Sequence, residues 1–535
     1  MVVLADSVFP GDVHGWLREF SSDDVTVLSV YPVTNLDDVV ARLSRLTTQD
    51  VILVVLGPAA LVSLAQDHGT LFESLFLHLR AGGVYVVDRT VQQREPGDAR
   101  PCRTAEHFHR MLAAAQGRDV GLGLSRRDIA IARYLKAVLV SEQLVVVTKR
   151  GRHALKLREH QVPELLTARE PGMAVSVLEV RPAGQLNIQI EESSYGPGRA
   201  DPWPTQLEFP EMTLRHYAGT IVSAGGMRLH TGNTILPDSF RWSHAKILRN
   251  RRYPSVTPLF SRLDQALPTR ILDGDYYFLD CMFSGHFGHL TSEVLCRLWG
   301  WDRAKREMPE LKALFHTNPA RRADGSLERR LFTAYGIAES DLVWSDQPVQ
   351  LRSVVGASPM WHNKSPYYAH PDIRETWERL TTGLLADTQP AEHERIFVSR
   401  GASLSRRREC RNQAEVEHFF AVRGYHVFYP EELPLVEQVR LFAGARVVAG
   451  FGGSAMCNLM HAKRLEAVVV ISHNAYTARN EHLFTSVLGA HMHYFWQSSD
   501  VEPPEVGRSK ASDRSSFSFD FATHGHDLAR VLSGL

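Results

Sequence analysis

Toward the C-terminus, short apolar runs alternate with stretches in which apolar residues recur every three or four positions. Residues 395–400 (Arg-Ile-Phe-Val-Ser-Arg) are an apolar run closed by a cation, and residues 414–420 have a helical pattern. Gly424 precedes a strand-like run at 425–429, and residues 435–442 form a second helical pattern. Residues 445–460 begin as a strand, bend through Gly450-Phe451-Gly452-Gly453 and continue into a helix reaching His461; residues 467–471 are a further buried-looking run. This alternation predicts a parallel sheet with crossover helices. Ligands of such sheets collect at the C-terminal ends of the strands.

The beginning of the chain alternates in the same way. Residues 25–30 read as a strand. Leu36, Val39, Val40, Leu43 and Leu46 mark one helix face, with Asn35 as its N-cap. A second strand at 51–56 stops at Gly57-Pro58. Leu71, Phe72, Leu75, Phe76 and Leu79 stripe another helix, ended by Gly82-Gly83 before a strand at 84–87. Residues 95–103 read as a connector, 126–135 as a helix and 139–148 as a hairpin. Short strands at 175–180, 186–191, 220–224 and 227–236, separated by Gly, Pro and Asn, predict a mixed β region opening a second domain. The run from Leu71 to Asp88 resembles the later half of a class I methyltransferase. No Gly-x-Gly follows the strand at 25–30, and Gly121-Leu122-Gly123 comes too late to hold S-adenosylmethionine, so a degenerate, non-catalytic scaffold is expected there.

Composition narrows the function classes. The 535 residues exceed a single core, and the 60 basic and 60 acidic side chains cancel. A balanced chain lacks the positive field that nucleic acid demands, so no nucleic-acid partner is expected. The five cysteines (Cys102, Cys281, Cys296, Cys410, Cys457) are scattered and fit reduced thiols. Residues 1–10 lack a basic segment before a long apolar core, so a secretory leader is not expected. No apolar run approaches the roughly 20 residues that span a bilayer. A cytoplasmic location is expected, with room for peripheral attachment to a membrane.

The middle of the chain carries the candidate chemistry. A strand at 276–279 leads through Ser284-Gly285 into a helix on which His286, His289 and Glu293 share one face. An imidazole with a carboxylate one turn later suits a general base and its orienting partner. Metal ligation and plain structural histidines are the alternatives, the spacing not being that of His-Glu-x-x-His.

The segment 285–299 looks like the His, helix, acidic residue, Leu-x-Arg-Leu pattern that opens the catalytic region of family 61 glycosyltransferases. Val398-Ser399-Arg400, residues 408–412, Gly424-Tyr425, Tyr429-Pro430-Glu431, Glu437-Gln438, Gly450, Gly453-Ser454-Ala455 and Asn458 follow in the order of the same family, over about the C-terminal half. Two departures stand out. Gly452 occupies a position where many members carry His, and Asn412-Gln413 replaces an Asn-Glu pair.

The resemblance implies an inverting, metal-independent transferase with a pair of Rossmann-like domains (GT-B). Its co-substrate would be a nucleotide-sugar, uridine-linked, and its acceptor a glycan, polysaccharide or glycolipid precursor; no other cofactor is implied. On this chain His289 would be the base and Glu293 its partner, while Arg400, Gly450, Gly453, Ser454 and Asn458 would hold the donor. Physical chemistry agrees with the last set, because a glycine turn capped by Ser454 at a helix start offers amides to phosphate, and Arg400 adds a guanidinium fork. Arg406, Arg407, Arg408 and Arg411 read either as a solvated loop or as a basic cover. Glu437 reads as a ribose partner or a surface residue. Asp273-Gly274-Asp275 precedes its strand and is expected to be a turn, so no metal site is assigned.

The expected architecture is α/β, a GT-B-like pair of domains behind an additional N-terminal α/β domain. The parts are 1–160, a methyltransferase-like domain without catalysis; 161–385, the acceptor side; and 386–535, the donor side. The pattern at 527–532 is expected to be a helix packing back across the cleft. Two alternatives stay open: a non-catalytic glycan- or nucleotide-binding protein, and a SAM-dependent methyltransferase with a glycan-recognition region.

Overall fold

The computed structural model describes the chain except residues 6–24, 30–34, 66, 89–102, 119–122, 198–202, 264–267, 269, 318–325, 402–407, 477 and 505–508. Residues 95–102 of the expected connector, Gly121-Leu122 and Arg406-Arg407 lie outside the described residues. The chain is mixed α/β and divides into two compact units. One comprises Met1–Ser176, His216–Asp273 and Gln347–Val354; the other comprises Val177–Arg215, Gly274–Asp346 and Val355–Leu535.

In the first unit a six-stranded sheet runs in the order Thr26–Ser29, Val2–Ala5, Gln49–Val55, Leu79–Asp88, Leu144–Lys149, Leu135–Val140. Its first four strands are parallel and its last two antiparallel. The strand Val2–Ala5, absent from the sequence reading, is almost wholly buried between two neighbours. Asn35 caps the helix Leu36–Ser44 as expected, accepting from Asp38 N at 2.9 Å, with Val39 and Leu43 buried. Gly82-Gly83 do not stop a helix. The helix His68–Leu75 gives way to a 3-10 turn at Phe76–His78, and the strand has begun by Leu79. The glycines form a bulge inside that strand, where partners jump from Gln49↔Leu79 to Val51↔Val84 and Gly82 takes φ +85°. Leu229–Thr231 and Thr234–Ile235 form a hairpin that continues through His153–Lys156 to Phe260–Arg262.

The second unit contains the sheet predicted at the C-terminus. Its order is Glu192–Tyr195, His491–Gln497, Ala467–His473, Val447–Phe451, Arg395–Val398, His426–Phe428, and every pairing is parallel. Taken in chain order from residue 395, the strands lie 2-1-3-4-5, with Glu192–Tyr195 added at the edge. The order reverses between Arg395–Val398 and Val447–Phe451, the switch point at which doubly wound sheets open a crevice for ligands. The helices Gln413–Ala421 and Leu435–Gly444 make the crossovers. The C-terminal helix Phe521–Gly534 covers one face, burying Leu528 and Leu532 against Phe397, Phe420 and Phe495. The same unit also holds Lys312–His316 paired in parallel with Leu342–Ser345 and with residues 276–278.

Two local expectations are corrected. Asp273-Gly274-Asp275 lie inside the strand Arg270–Phe278 and are not a turn before it. The segment after Phe287 is not one regular helix. It passes from an α-turn (Phe287–His289) through a π-turn (Leu290–Val294) and a 3-10 turn (Leu295–Gly300) into the helix Trp301–Glu307. At its centre the Leu295 amide donates to Leu290 O, five residues back.

Candidate functional site

Arg400 lies just past the strand Arg395–Val398 on one side of the switch point, and the turn 452–454 follows the strand Val447–Phe451 on the other. Arg400 Nη2 donates to Gly452 O, and Nη1 donates to Arg408 O at 3.3 Å. Gly453 is where side chain and backbone meet, since a Cβ there would stand 2.5 Å from Arg400 Nη2. Burial, then the neighbouring Arg408 cation, pushes the Arg400 guanidinium down to about 10, so it stays charged at neutral pH. Its backbone is pinned by Gln413, whose Nε2 donates to Arg400 O (2.7 Å), Ser399 Oγ (3.1 Å) and Glu417 Oε1 (2.7 Å). Ser399 Oγ and Tyr429 Oη also donate to Glu417, and Gly401 N donates to Glu431. Residues quoted from the sequence pattern thus meet at the C-terminal strand ends. Gln413, where the family pattern has Glu, supplies the amide donors of this network.

The His289 segment packs against the same turn. A Cβ on Gly288 would come within 3.0 Å of Ser454 Cβ. Thr291 faces the thiol of Cys457, one turn beyond Ser454, and burial pushes that thiol up to about 12. His289 Nδ1 is paired with Glu293 Oε1, and its ring lies 4.4 Å from Phe283 and 4.7 Å from His286, centroid to centroid. The imidazole side chain is 27% exposed and the carboxylate 2%. A buried carboxylate facing Nδ1 favours the tautomer with its proton there, leaving the Nε2 lone pair for a substrate proton. The segment is locked from behind: Arg297 Nη1 donates to Ala357 O (2.9 Å), Trp299 Nε1 to Ser358 O (2.9 Å) and Tyr277 Oη to Arg297 O (2.5 Å).

The remaining site residues divide. Gly450 lies within the strand Val447–Phe451, paired with Val398, and a Cβ there would meet Val398 O at 2.6 Å. Ser454 is the first residue of a 3-10 helix, Ser454–His461, whose N-cap is Gly453; the expected serine cap is not formed. Asn458 is fully buried, and its Nδ2 donates to Gln438 Oε1 (3.1 Å) and Ala455 O (3.2 Å). Glu437 pairs with Arg440 on its own helix, and Arg411 pairs with Asp500. Among the described residues no group of three or more His, Cys, Asp or Glu side chains could hold a metal ion, and no helix is long and apolar enough to cross a membrane.

Glu481 was not singled out from sequence. It is 1% exposed at the start of the helix Asn480–Leu488, and its Oε1 accepts from Gly453 N at 2.9 Å. Nothing marks it in the pattern except an acid opening an apolar helix. The amide expected to be free for phosphate therefore faces a carboxyl. Burial pushes that carboxyl up to about 7.

Among solved structures, similarity is found to MycE methyltransferase from the mycinamycin biosynthetic pathway in complex with Mg, SAH and mycinamycin VI. That match has 16% identity over 28% of this chain and 44% of that one, with a TM-score of 0.19. The same enzyme with Mg and SAH, crystal form 1, gives 17% identity over 28% and 41%, again with a TM-score of 0.19. The chain thus spans less than half of those proteins, and so low a score carries no argument. No curated protein matches the sequence. The family model Glycosyltransferase 61 matches residues 287–470. That interval, about a third of the chain, contains His289, Glu293, Arg400, Gly450, Gly453, Ser454 and Asn458.

Proposed function

We propose that the chain is an inverting, metal-independent glycosyltransferase that moves a sugar from a nucleotide-sugar, uridine-linked, to a hydroxyl of a glycan, polysaccharide or glycolipid precursor. The observation that carries this reading is the convergence on one turn. Arg400 lies against Gly453 from one side, and Gly288, next to the His289–Glu293 pair, lies against Ser454 from another. His289 Nε2 takes the acceptor proton, Glu293 stabilises the imidazolium that forms, and the acceptor oxygen attacks the anomeric carbon as the bond to the diphosphate breaks. Arg400 and the switch-point crevice hold the leaving diphosphate by charge. The parallel pairings around Arg395–Val398 and around Lys312–His316 in the second unit support a GT-B-like arrangement, and the free, buried cysteines among the described residues support a cytoplasmic setting.

Turnover of a panel of nucleotide-sugars by the full chain, with glycan acceptors, tests the reading. His289→Ala is expected to lower kcat by about 10²–10⁴-fold while changing nucleotide affinity less than about twofold. Arg400→Ala is expected chiefly to weaken nucleotide binding. A His289→Ala enzyme that keeps most of its turnover removes the base from the mechanism.

A further inference from the structure

We infer that Glu481 is a placeholder for the donor's diphosphate: its carboxylate accepts from the Gly453 amide in the free protein, and it is protonated from solvent when the diphosphate enters. This rests on the reading of Arg400 and Gly453 as the diphosphate site. Glu481 is buried; Oε1 takes the Gly453 N–H at 2.9 Å, and Oε2 has no hydrogen-bond partner among the described residues. A buried, half-satisfied carboxylate is costly unless nearby charge compensates it.

Compensation comes from Arg400 and Arg408, which both act on Glu481. The other titratable groups facing this cluster include Tyr476, Tyr494 and Cys457 around Glu481, with Glu431, Cys410 and His473 beside the arginines and Asp500 next to His473. Burial holds both phenols and the Cys457 thiol in their neutral forms and keeps His473 uncharged, down at about 4. Glu481 is thus the buried carboxylate set against two guanidinium groups, while the exposed Glu431 adds a solvent-screened negative charge beside Arg400. A nucleotide-sugar brings two further negative charges to the same cations. In so enclosed a space the group easiest to neutralise is the carboxyl already pushed up to about 7. The step balances simply: carboxylate plus one solvent proton gives the acid. The acid keeps a carbonyl oxygen for the Gly453 amide and gains an O–H that no longer repels phosphate.

Binding of uridine diphosphate and guanosine diphosphate to the full chain tests this, measured calorimetrically at pH 8 in two buffers of different ionisation heat. The wild-type protein is expected to take up close to one proton per nucleotide. Glu481→Gln keeps an acceptor for Gly453 N–H and removes the charge; it is expected to bind without that uptake. Its Kd should be roughly tenfold tighter than wild type at pH 8 and within about twofold at pH 6. Binding by wild type without proton uptake overturns the inference, as does an unchanged pH dependence in Glu481→Gln. If wild type binds neither nucleotide, the diphosphate site itself falls. Should Glu481→Gln fail to fold, the two-buffer measurement on wild type decides alone.

Discussion

Gly450 and Gly453 stand three residues apart and are glycines for different reasons. A Cβ at Gly450 would meet the carbonyl oxygen of Val398 at 2.6 Å and its Cβ at 2.8 Å, fixed atoms of a neighbouring buried strand. Gly450→Ala is therefore expected to destabilise the fold by about 1–3 kcal/mol, read as a lower Tm. A Cβ at Gly453 would instead meet the movable end of Arg400. Gly453→Ala should leave Tm nearly unchanged and raise the KM for the donor, the opposite split. A glycine-rich bend was legible in the sequence. Which glycine serves packing and which serves the guanidinium was not, because that depends on how closely the next strand approaches. Glu481 was hidden for the same reason: its partner, Gly453 N, is set by the fold, and no spacing records it.

At the scale of elements, periodicity located the strands and crossover helices of the second unit well, and it failed where a ladder slips. The spacing of His286, His289 and Glu293 predicted one regular helix face. The π-turn at Leu290–Val294 breaks that regularity, and His289 Nδ1 pairs with Glu293 across it. Such bulges cluster at functional sites because they re-aim side chains against the cost of a poorer hydrogen-bond ladder. Asn458 belongs to this scale as well. Its amide couples the 3-10 helix Ser454–His461 to Gln438, whose Nε2 donates to Pro430 O (2.7 Å) and Leu433 O (3.0 Å). Asn458→Ala and Gln438→Ala should each cost about 1–3 kcal/mol of stability by orphaning buried polar groups. A double-mutant cycle should show them to be non-additive; strict additivity would mean the contact couples nothing.

At the scale of the whole molecule, strand order was beyond the sequence, since pairing partners are set by contacts far apart in the chain. The switch point at Arg400 is a property of that order. Solution pH acts at this scale too. His461 and His473 are held neutral by burial, at about 3 and about 4. Being depressed in the folded state, each contributes stability that is present above about 6.5 and lost as pH falls; at pH 5 the loss is about 2 kcal/mol per histidine. Glu481 is raised in the folded state, so its contribution is full below about 4.5 and lost as pH climbs to about 7. Melting curves should show Tm falling from pH 6.5 to 5, with Glu481→Gln removing a decline between pH 5 and 7.5 that the histidines partly mask.

The edge strand Glu192–Tyr195 also has a temporal consequence. Ser193 Oγ meets His493 Nδ1 at 2.6 Å and Trp496 Nε1 donates to Ser194 Oγ at 2.9 Å, partners 300 and 302 positions apart in the chain. A ribosome adding about 5–20 residues per second leaves that strand waiting roughly 15–60 s for its mate. During the wait its unpaired edge is open to wrong partners, so the newborn chain calls for shielding by chaperones, and slowed translation before residue 491 should lower the soluble yield.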